Sequence, residues 1–438
     1  MNLRDRLIWA YISKTDIETE RKECIEEGKD ISLLEDEFRT YSREEVSQST
    51  LEAFLEKTYS LPTDADEPSD FEGILALCEG CEDYKTPPSD LENRIAGAWI
   101  GRIAGCELGK PFEGTKTANI ENYLKSTDSY PLSYYINYDK ECAEKYGTNQ
   151  NPIFYIEKMD RAYSDDDLNY PALNLKIYKD TQGKPKAHDI AMGWLSCLPF
   201  TAVCTAERVA YKNFMKCIDP PMSATVHNPY REWIGAQIRG DFWGWVNPVS
   251  PKKAAELAFN DACISHVKNG IYGEMFVASM LSHAFHQTDI KDVITKGLAF
   301  VPKTSRLYKG ICDIINLYDA GKTYEESIEF IHSVWNEYIS HDWCHTIPNA
   351  QIVVSALLWA SDFGDAVCKA AAVGFDTDCN GATAGSIMGL FLGYDRIDPK
   401  WYEPFKDTLQ TDIAGYNNMK ISDMIKETID LAKKNIII

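Results

Sequence analysis

Two carboxylates stand two residues apart in Gly374-Phe375-Asp376-Thr377-Asp378-Cys379-Asn380-Gly381, among glycines and small residues and between two apolar helical patterns. Hard oxygen donors of this kind suit Mg²⁺, Mn²⁺ or Ca²⁺. In a loop that turns into the small-residue helical segment 382–392, alternate side chains point the same way, so Asp376 and Asp378 can meet one cation. The pattern D-x-D-x-N-G also opens an EF-hand, but that loop needs a bidentate Glu at its twelfth position, which here is Ile387. The EF-hand is therefore excluded. Plain N-capping by Asp378 or Asn380 is the structural alternative.

A second acidic group, Ser164-Asp165-Asp166-Asp167, follows a hydroxyl residue and precedes an apolar run. A Ser N-cap with acids in the first turn explains it on capping and dipole grounds alone. Three adjacent carboxylates also repel one another, and a cation relieves that repulsion. A third carboxylate, Glu113, is presented by the loop that Gly109 and Pro111 open.

Other constellations are open to two readings. Tyr230–Asp241 mixes aromatics, glycines and charges; Arg231 or Arg239 can clamp a phosphate or pair with Glu232 or Asp241. The run from Ile264 to Gly273 holds His266, Asn269, Gly270, Tyr272 and Gly273, and its glycines allow backbone N–H groups to approach a ligand. A helix-turn-helix connection is the alternative. His283-x-x-His286 and His341-x-x-x-His345 lack further zinc ligands and read as satisfied or surface histidines. Cys78-x-x-Cys81 lacks a second pair at zinc-ribbon spacing.

The elements that must position these groups read as helices. Segments 188–199, 205–218, 251–267, 273–285, 307–318, 324–338, 348–360 and 366–373 carry helical patterns, and convincing alternating strands are absent. Ser250-Pro251 opens one helix as N-cap and N1, and Asn269-Gly270 closes it. Ser89 with Glu92 forms a capping-box signature ahead of a small-residue helix whose Gly97, Gly101 and Gly105 are four apart, the spacing of close helix packing. Residues 115–163 read as irregular. The fold class is all-α: a many-helix domain over 89–438 preceded by an acidic helical extension and linker over 1–88.

Composition bounds the partners. Of 438 residues, 44% are hydrophobic and 12% aromatic, enough for a large core. The net charge of -22, from 67 acidic and 45 basic residues, repels phosphate backbones and anionic membrane surfaces, so no nucleic acid and no membrane partner is expected. No segment reaches the ~20 apolar residues of a membrane span. Thirteen cysteines without framework spacing read as reduced thiols of a cytoplasmic protein.

Taken together, these stretches resemble the ADP-ribosylglycohydrolase family, the group that includes dinitrogenase-reductase-activating glycohydrolase, over roughly residues 90–395. The segment from Gly374 is similar to the family's G-x-D-T-D-[TC]-x-x-A, Ser164–Asp167 looks like its T-D-D-T, Gly105–Glu113 looks like G-D-A-x-G-x-x-x-E, and His266 matches its [ST]-H segment. The resemblance implies a compact all-α fold holding two Mg²⁺ or Mn²⁺ ions, with Ser164, Asp165, Asp166, Asp376, Asp378 and position 379 as ligands. It implies that Glu113 reaches toward the metals and that His266 lies beside an ADP-ribose site; Gly235 and Arg239 match the G-A-x-M-R element loosely. The departures are Cys379 for the threonine ligand, Ser164 for Thr, Cys106 for Asp, Asp167 for Thr, and the missing Gly-Asn pair before Gly235.

The implied activity is metal-dependent hydrolysis of an N- or O-glycosidic bond to ADP-ribose, on protein or a small molecule. Glu113, Asp166 or Asp167 would serve as base toward water. Two other classes stay open: a non-catalytic ADP-ribose or nucleotide binder, and a hydrolase of another nucleoside or glycoside.

Overall fold

The computed structural model describes residues 10–436. The first helices are α1 (Lys14–Glu26), α2 (Glu35–Tyr41), α3 (Gln48–Tyr59) and α4 (Phe71–Leu77). Ser13 and Asp16 form a complete capping box at the start of α1. Helices α1–α3 close over a small apolar cluster that includes Ile17, Cys24, Phe38, Phe54 and Leu55, whereas Ile74 of α4 belongs to the main core.

The larger part begins with α5 (Leu91–Gly109), α6 (Thr117–Ser126), α7 (Lys140–Tyr146), α8 (Asp166–Asp180), α9 (Ala187–Cys197) and α10 (Thr205–Met215). It continues through α11 (Asp241–Val246), α12 (Pro251–Ala262), α13 (Lys268–Ala284), α14 (Ile290–Gly297), α15 (Arg306–Asp319) and α16 (Tyr324–Val334). The last helices are α17 (Ser340–Cys344), α18 (Thr346–Leu358), α19 (Phe363–Ala371), α20 (Thr377–Leu392) and α21 (Ile421–Ile436). The fold is all-α, with one antiparallel ribbon, β1 (Thr408–Gln410) and β2 (Asn418–Lys420), among the described residues. None of the described helices is long and apolar enough to cross a membrane.

At the centre α5 and α20 run antiparallel in near backbone contact. A Cβ added at Gly97, Gly101 or Gly105 would lie 2.2, 2.0 or 1.9 Å from the carbonyl oxygens of Gly389, Gly385 and Gly381. The glycine spacing thus does what its sequence predicts: it removes side chains from the contact so that two buried helices pack backbone to backbone. The same contact carries the C-terminal end of α5 to the start of α20, where Thr377 Oγ1 donates to the Gly109 carbonyl at 3.0 Å.

Several local expectations are corrected. Helix α5 starts at Leu91 with Asp90 as N-cap, and Asp90 pairs with Arg94 at 2.7 Å, so the Ser89–Glu92 box does not form. Ser250 caps α12 as expected, but α12 stops at Ala262 and Asn269-Gly270 opens α13 instead of closing α12. Buried polar contacts fix that turn: Asn269 donates to Glu232 and accepts from the Leu307 N–H. Residues 115–163 contain α6 and α7, and the ribbon and α21 have no counterpart in the sequence reading.

Candidate metal centre

Two acidic arms meet where α5, α8 and α20 converge. The first is the start of α8. Asp165 is its N-cap, accepting from the Asp167 N–H at 3.0 Å, so Asp165 and not Ser164 caps the helix. Ser164 instead donates its hydroxyl hydrogen to Asp412, which also accepts from Asn169 Nδ2 at 3.1 Å.

The second arm is the start of α20. Gly374 and Phe375 both take positive φ (71° and 54°), reversing the chain just before the helix. Asn349 Oδ1 holds the turn by accepting from the Asp376 N–H at 3.2 Å and Asn380 Nδ2 at 2.8 Å, while Trp343 Nε1 donates to the Phe375 carbonyl at 2.7 Å. Asp376 occupies the N-cap position without using its carboxylate for capping. That carboxylate faces the Cys344 thiol at 3.6 Å.

Seven carboxyl groups, Glu107, Glu113, Asp165, Asp166, Asp167, Asp376 and Asp378, act on one another across this centre. Among the described residues, Arg102 and Lys110 are the cations that pair with them. Arg102 holds Asp167 Oδ1 and Asp241 Oδ2, each at 2.8 Å. Lys110 sits 2.7 Å from Glu107 and 3.8 Å from Asp165. The surplus negative charge makes ionisation costly. Asp378 is pushed up to about 6 by burial and by Asp165. Glu113, exposed at the rim, is pushed up to about 9, first by the charge of Asp378 and then by desolvation. Asp166 and Asp376 are driven well above the usual carboxylate range by burial and by neighbouring carboxylates.

The residues present fit divalent cations. Asp167 Oδ2 and Asp378 Oδ1 are buried and make no hydrogen bond among the described residues, a costly state that a cation removes. Donor atoms of Asp167, Asp378 and Cys379 lie within 4.8 Å of one another, as do those of Cys106, Asp165 and Asp167. The structure therefore gathers Glu113, Asp165, Asp166, Asp167, Asp376, Asp378 and Cys379 at one place, with Ser164 at its edge. Asp167 is withdrawn from the role of base: it is fully buried and its Oδ1 is locked on Arg102.

The other sequence candidates serve the surrounding packing. Arg239 is not a phosphate clamp, because its guanidinium is fully buried against Asp261 (2.8 Å) and Glu207 (2.9 Å). A Cβ at Gly235, Gly270 or Gly273 would collide with Glu207, the Arg231 carbonyl or Thr346, so these glycines admit neighbouring protein groups rather than a ligand. Tyr272 donates to the Pro68 carbonyl and Asn269 to Glu232. His266 is fully buried, 2.8 Å from Ser265 Oγ, and held neutral by desolvation and the charge of Arg239.

His283 is satisfied by Tyr84 at 2.8 Å, and His286 stacks on the same ring. His341 and His345 meet Glu23 of α1 closely enough to suggest a further cation site. Their tautomers argue otherwise. Trp233 Nε1 donates to His341 Nδ1 and the Ile347 N–H to His345 Nδ1, each at 3.2 Å. The ring protons therefore sit on Nε2, where His341 donates to Glu26 Oε2 at 3.1 Å and His345 Nε2 lies 3.7 Å from the same oxygen, facing it without a hydrogen bond.

Sequence reasoning missed Asp412, which the ribbon brings in from far along the chain and for which no motif gave a signal. Arg102 had one: it is a charge at the middle of a small-residue helix, flanked on both sides by apolar residues and glycines.

A sequence model of the ADP-ribosylglycohydrolase family matches residues 87–432. No curated protein matches the chain. Among solved structures, one described as an "ADP-ribosylglycohydrolase-related protein complex" aligns over 79% of this chain and 99% of its own with a TM-score of 0.50 and 14% identity, a likeness of fold alone. With the family match spanning most of the sequence and the paired acidic arms in place within it, the chain belongs to the ADP-ribosylglycohydrolase family.

Proposed function

We propose that this protein is a metal-dependent hydrolase that cleaves an N- or O-glycosidic bond to ADP-ribose, on an ADP-ribosylated protein or a small ADP-ribosyl molecule. The family supports a glycohydrolase of ADP-ribose-related substrates. The observation that carries the finer reading is the meeting of two acidic arms with buried carboxylate oxygens left unpartnered. The catalytic unit is residues 89–438, with residues 1–88 as an extension, most of which lies outside the family match.

Ser164, Asp165, Asp166, Asp376, Asp378 and Cys379 would hold two divalent ions, Mg²⁺ or Mn²⁺. Ions held there supply positive charge that orients ribose hydroxyls and acidifies a water. The chain's own groups do the rest. Glu113, exposed at the rim, is placed to take a proton from water, with half-buried Asp166 as the second carboxyl in reach. Carboxylates on both sides favour the positive charge that develops on the sugar as the glycosidic bond breaks. Arg102 and Lys110 keep Asp167 and Asp165 in place.

Release of free ADP-ribose from ADP-ribosylated protein in Mg²⁺ or Mn²⁺ tests the reading. Wild type should turn over, and Asp378→Asn should lose roughly 100-fold or more. Absence of turnover on every ADP-ribosyl linkage, with metal bound, would falsify it. The second reading, a binder without turnover, is motivated by thiols at positions 106 and 379. ADP-ribose binding by calorimetry without hydrolysis would establish it.

A further inference from the structure

We propose that the floor of this centre is a sulfur-bearing cation position formed by Asp167, Asp378 and Cys379, which takes a thiophilic divalent ion of the Fe²⁺, Co²⁺ or Zn²⁺ kind in preference to Mg²⁺. The inference rests on the metal-centre reading above and adds Asp167, which that ligand set leaves out. Three observations carry it. Donor atoms of all three residues lie within 4.8 Å of one another, and the residues are 0%, 3% and 5% exposed. Asp167 spends Oδ1 on Arg102, leaving Oδ2 without a hydrogen-bond partner among the described residues, and Asp378 Oδ1 is in the same state. Cys106, with Asp165 and Asp167, forms a second such group, so Asp167 belongs to two donor sets that each include a thiol.

The two sides of the centre differ in chemistry. Asp165 and Asp166 are half-buried, a setting in which Mg²⁺ keeps waters in its octahedral shell, and the thiol nearest Asp165 is the fully buried Cys106 beneath it. The floor is buried and offers sulfur. Mg²⁺ dehydrates reluctantly and gains little from a thiolate, whereas the later divalent ions bind one well. On coordination the Cys379 thiol releases its proton to solvent and the sulfur lone pair binds the ion; no electron is transferred. Arg102 does not repel the ion decisively, because Asp241 neutralises its other face at 2.8 Å.

The test is Co²⁺ titration of the metal-stripped full-length protein, read by absorbance, with Mg²⁺ binding followed by calorimetry. A sulfur-to-cobalt charge-transfer band in the near ultraviolet is expected, retained in Cys106→Ser and lost in Cys379→Ser. The latter should keep Mg²⁺ binding while its preference for Co²⁺ over Mg²⁺ falls about tenfold or more. Co²⁺ binding to wild type without the band overturns the proposal whatever the variants do. A band lost only in Cys106→Ser overturns the assignment to Cys379. If neither Co²⁺ nor Mg²⁺ binds, the metal-centre reading itself fails, an outcome distinct from the other two.

Discussion

Glu113 and Asp167 show how environment assigns different work to carboxyl groups in one cluster. Asp167 is sealed and its Oδ1 bonded to Arg102, so it can only anchor or ligate. Glu113 stands at the rim, where the negative charge of Asp378 lifts it to about 9; positive charge held beside Asp378 would offset that effect and leave the Glu113 carboxylate free to accept a proton. Under the proposed function this predicts a split between chemistry and binding. Glu113→Gln should reduce kcat by about 100-fold or more while leaving Mn²⁺ affinity within a few-fold of wild type. Steady-state kinetics beside calorimetry read both quantities. An unchanged kcat would transfer the base role to Asp166.

At the scale of elements, the geometry of the site depends on the α5–α20 contact. The glycines of α20 repeat the four-residue spacing of α5 in reverse order, so each turn of one helix faces a turn of the other without an intervening side chain. Helix packing at ordinary distances separates axes by about 8–10 Å; here backbone carbonyls occupy the space where a methyl group would sit. Gly105→Ala, whose Cβ would lie 1.9 Å from the Gly381 oxygen, should destabilise the fold by about 3 kcal/mol because both helices are too buried to move aside. Urea unfolding measures it, and a loss below about 1 kcal/mol would show that the helices separate easily. The ribbon acts similarly from outside: Ala162 bridges to Leu409, which keeps Asp412 beside Ser164.

Across the whole molecule, the N-terminal helices dock through buried charge. Arg231 receives Glu20 at 2.6 Å and Glu27 at 3.0 Å, while Arg306 joins Glu26, Glu67 and Glu232. From this seam, Cys344 and Trp343 reach the Asp376 turn, so the docked extension and the metal centre share one set of contacts. Removing one member leaves the others buried without a counter-charge. Arg231→Met should therefore cost about 3–5 kcal/mol and expose residues 61–70 to limited proteolysis, with little dependence on salt because the partners are enclosed. A variant as stable and as protease-resistant as wild type would mean that apolar packing alone holds the extension.

The sequence by itself determined what depends on local spacing: the helical class, the glycine repeat of α5, and the two carboxylate motifs. Small residues four apart and acids at a helix start carry the same constraint wherever the chain runs. Tertiary structure alone decided which charges face one another. Arg102 reaches Asp167 and Asp241, Arg239 reaches Glu207 and Asp261 instead of a ligand, and Asp412 reaches Ser164. Those partners lie up to 248 residues apart. No periodicity links them; a burial cost does, since an enclosed charge must find a counter-charge or a hydrogen bond. That same cost marks the floor of the centre, where Asp167 and Asp378 each keep one oxygen with no protein partner among the described residues.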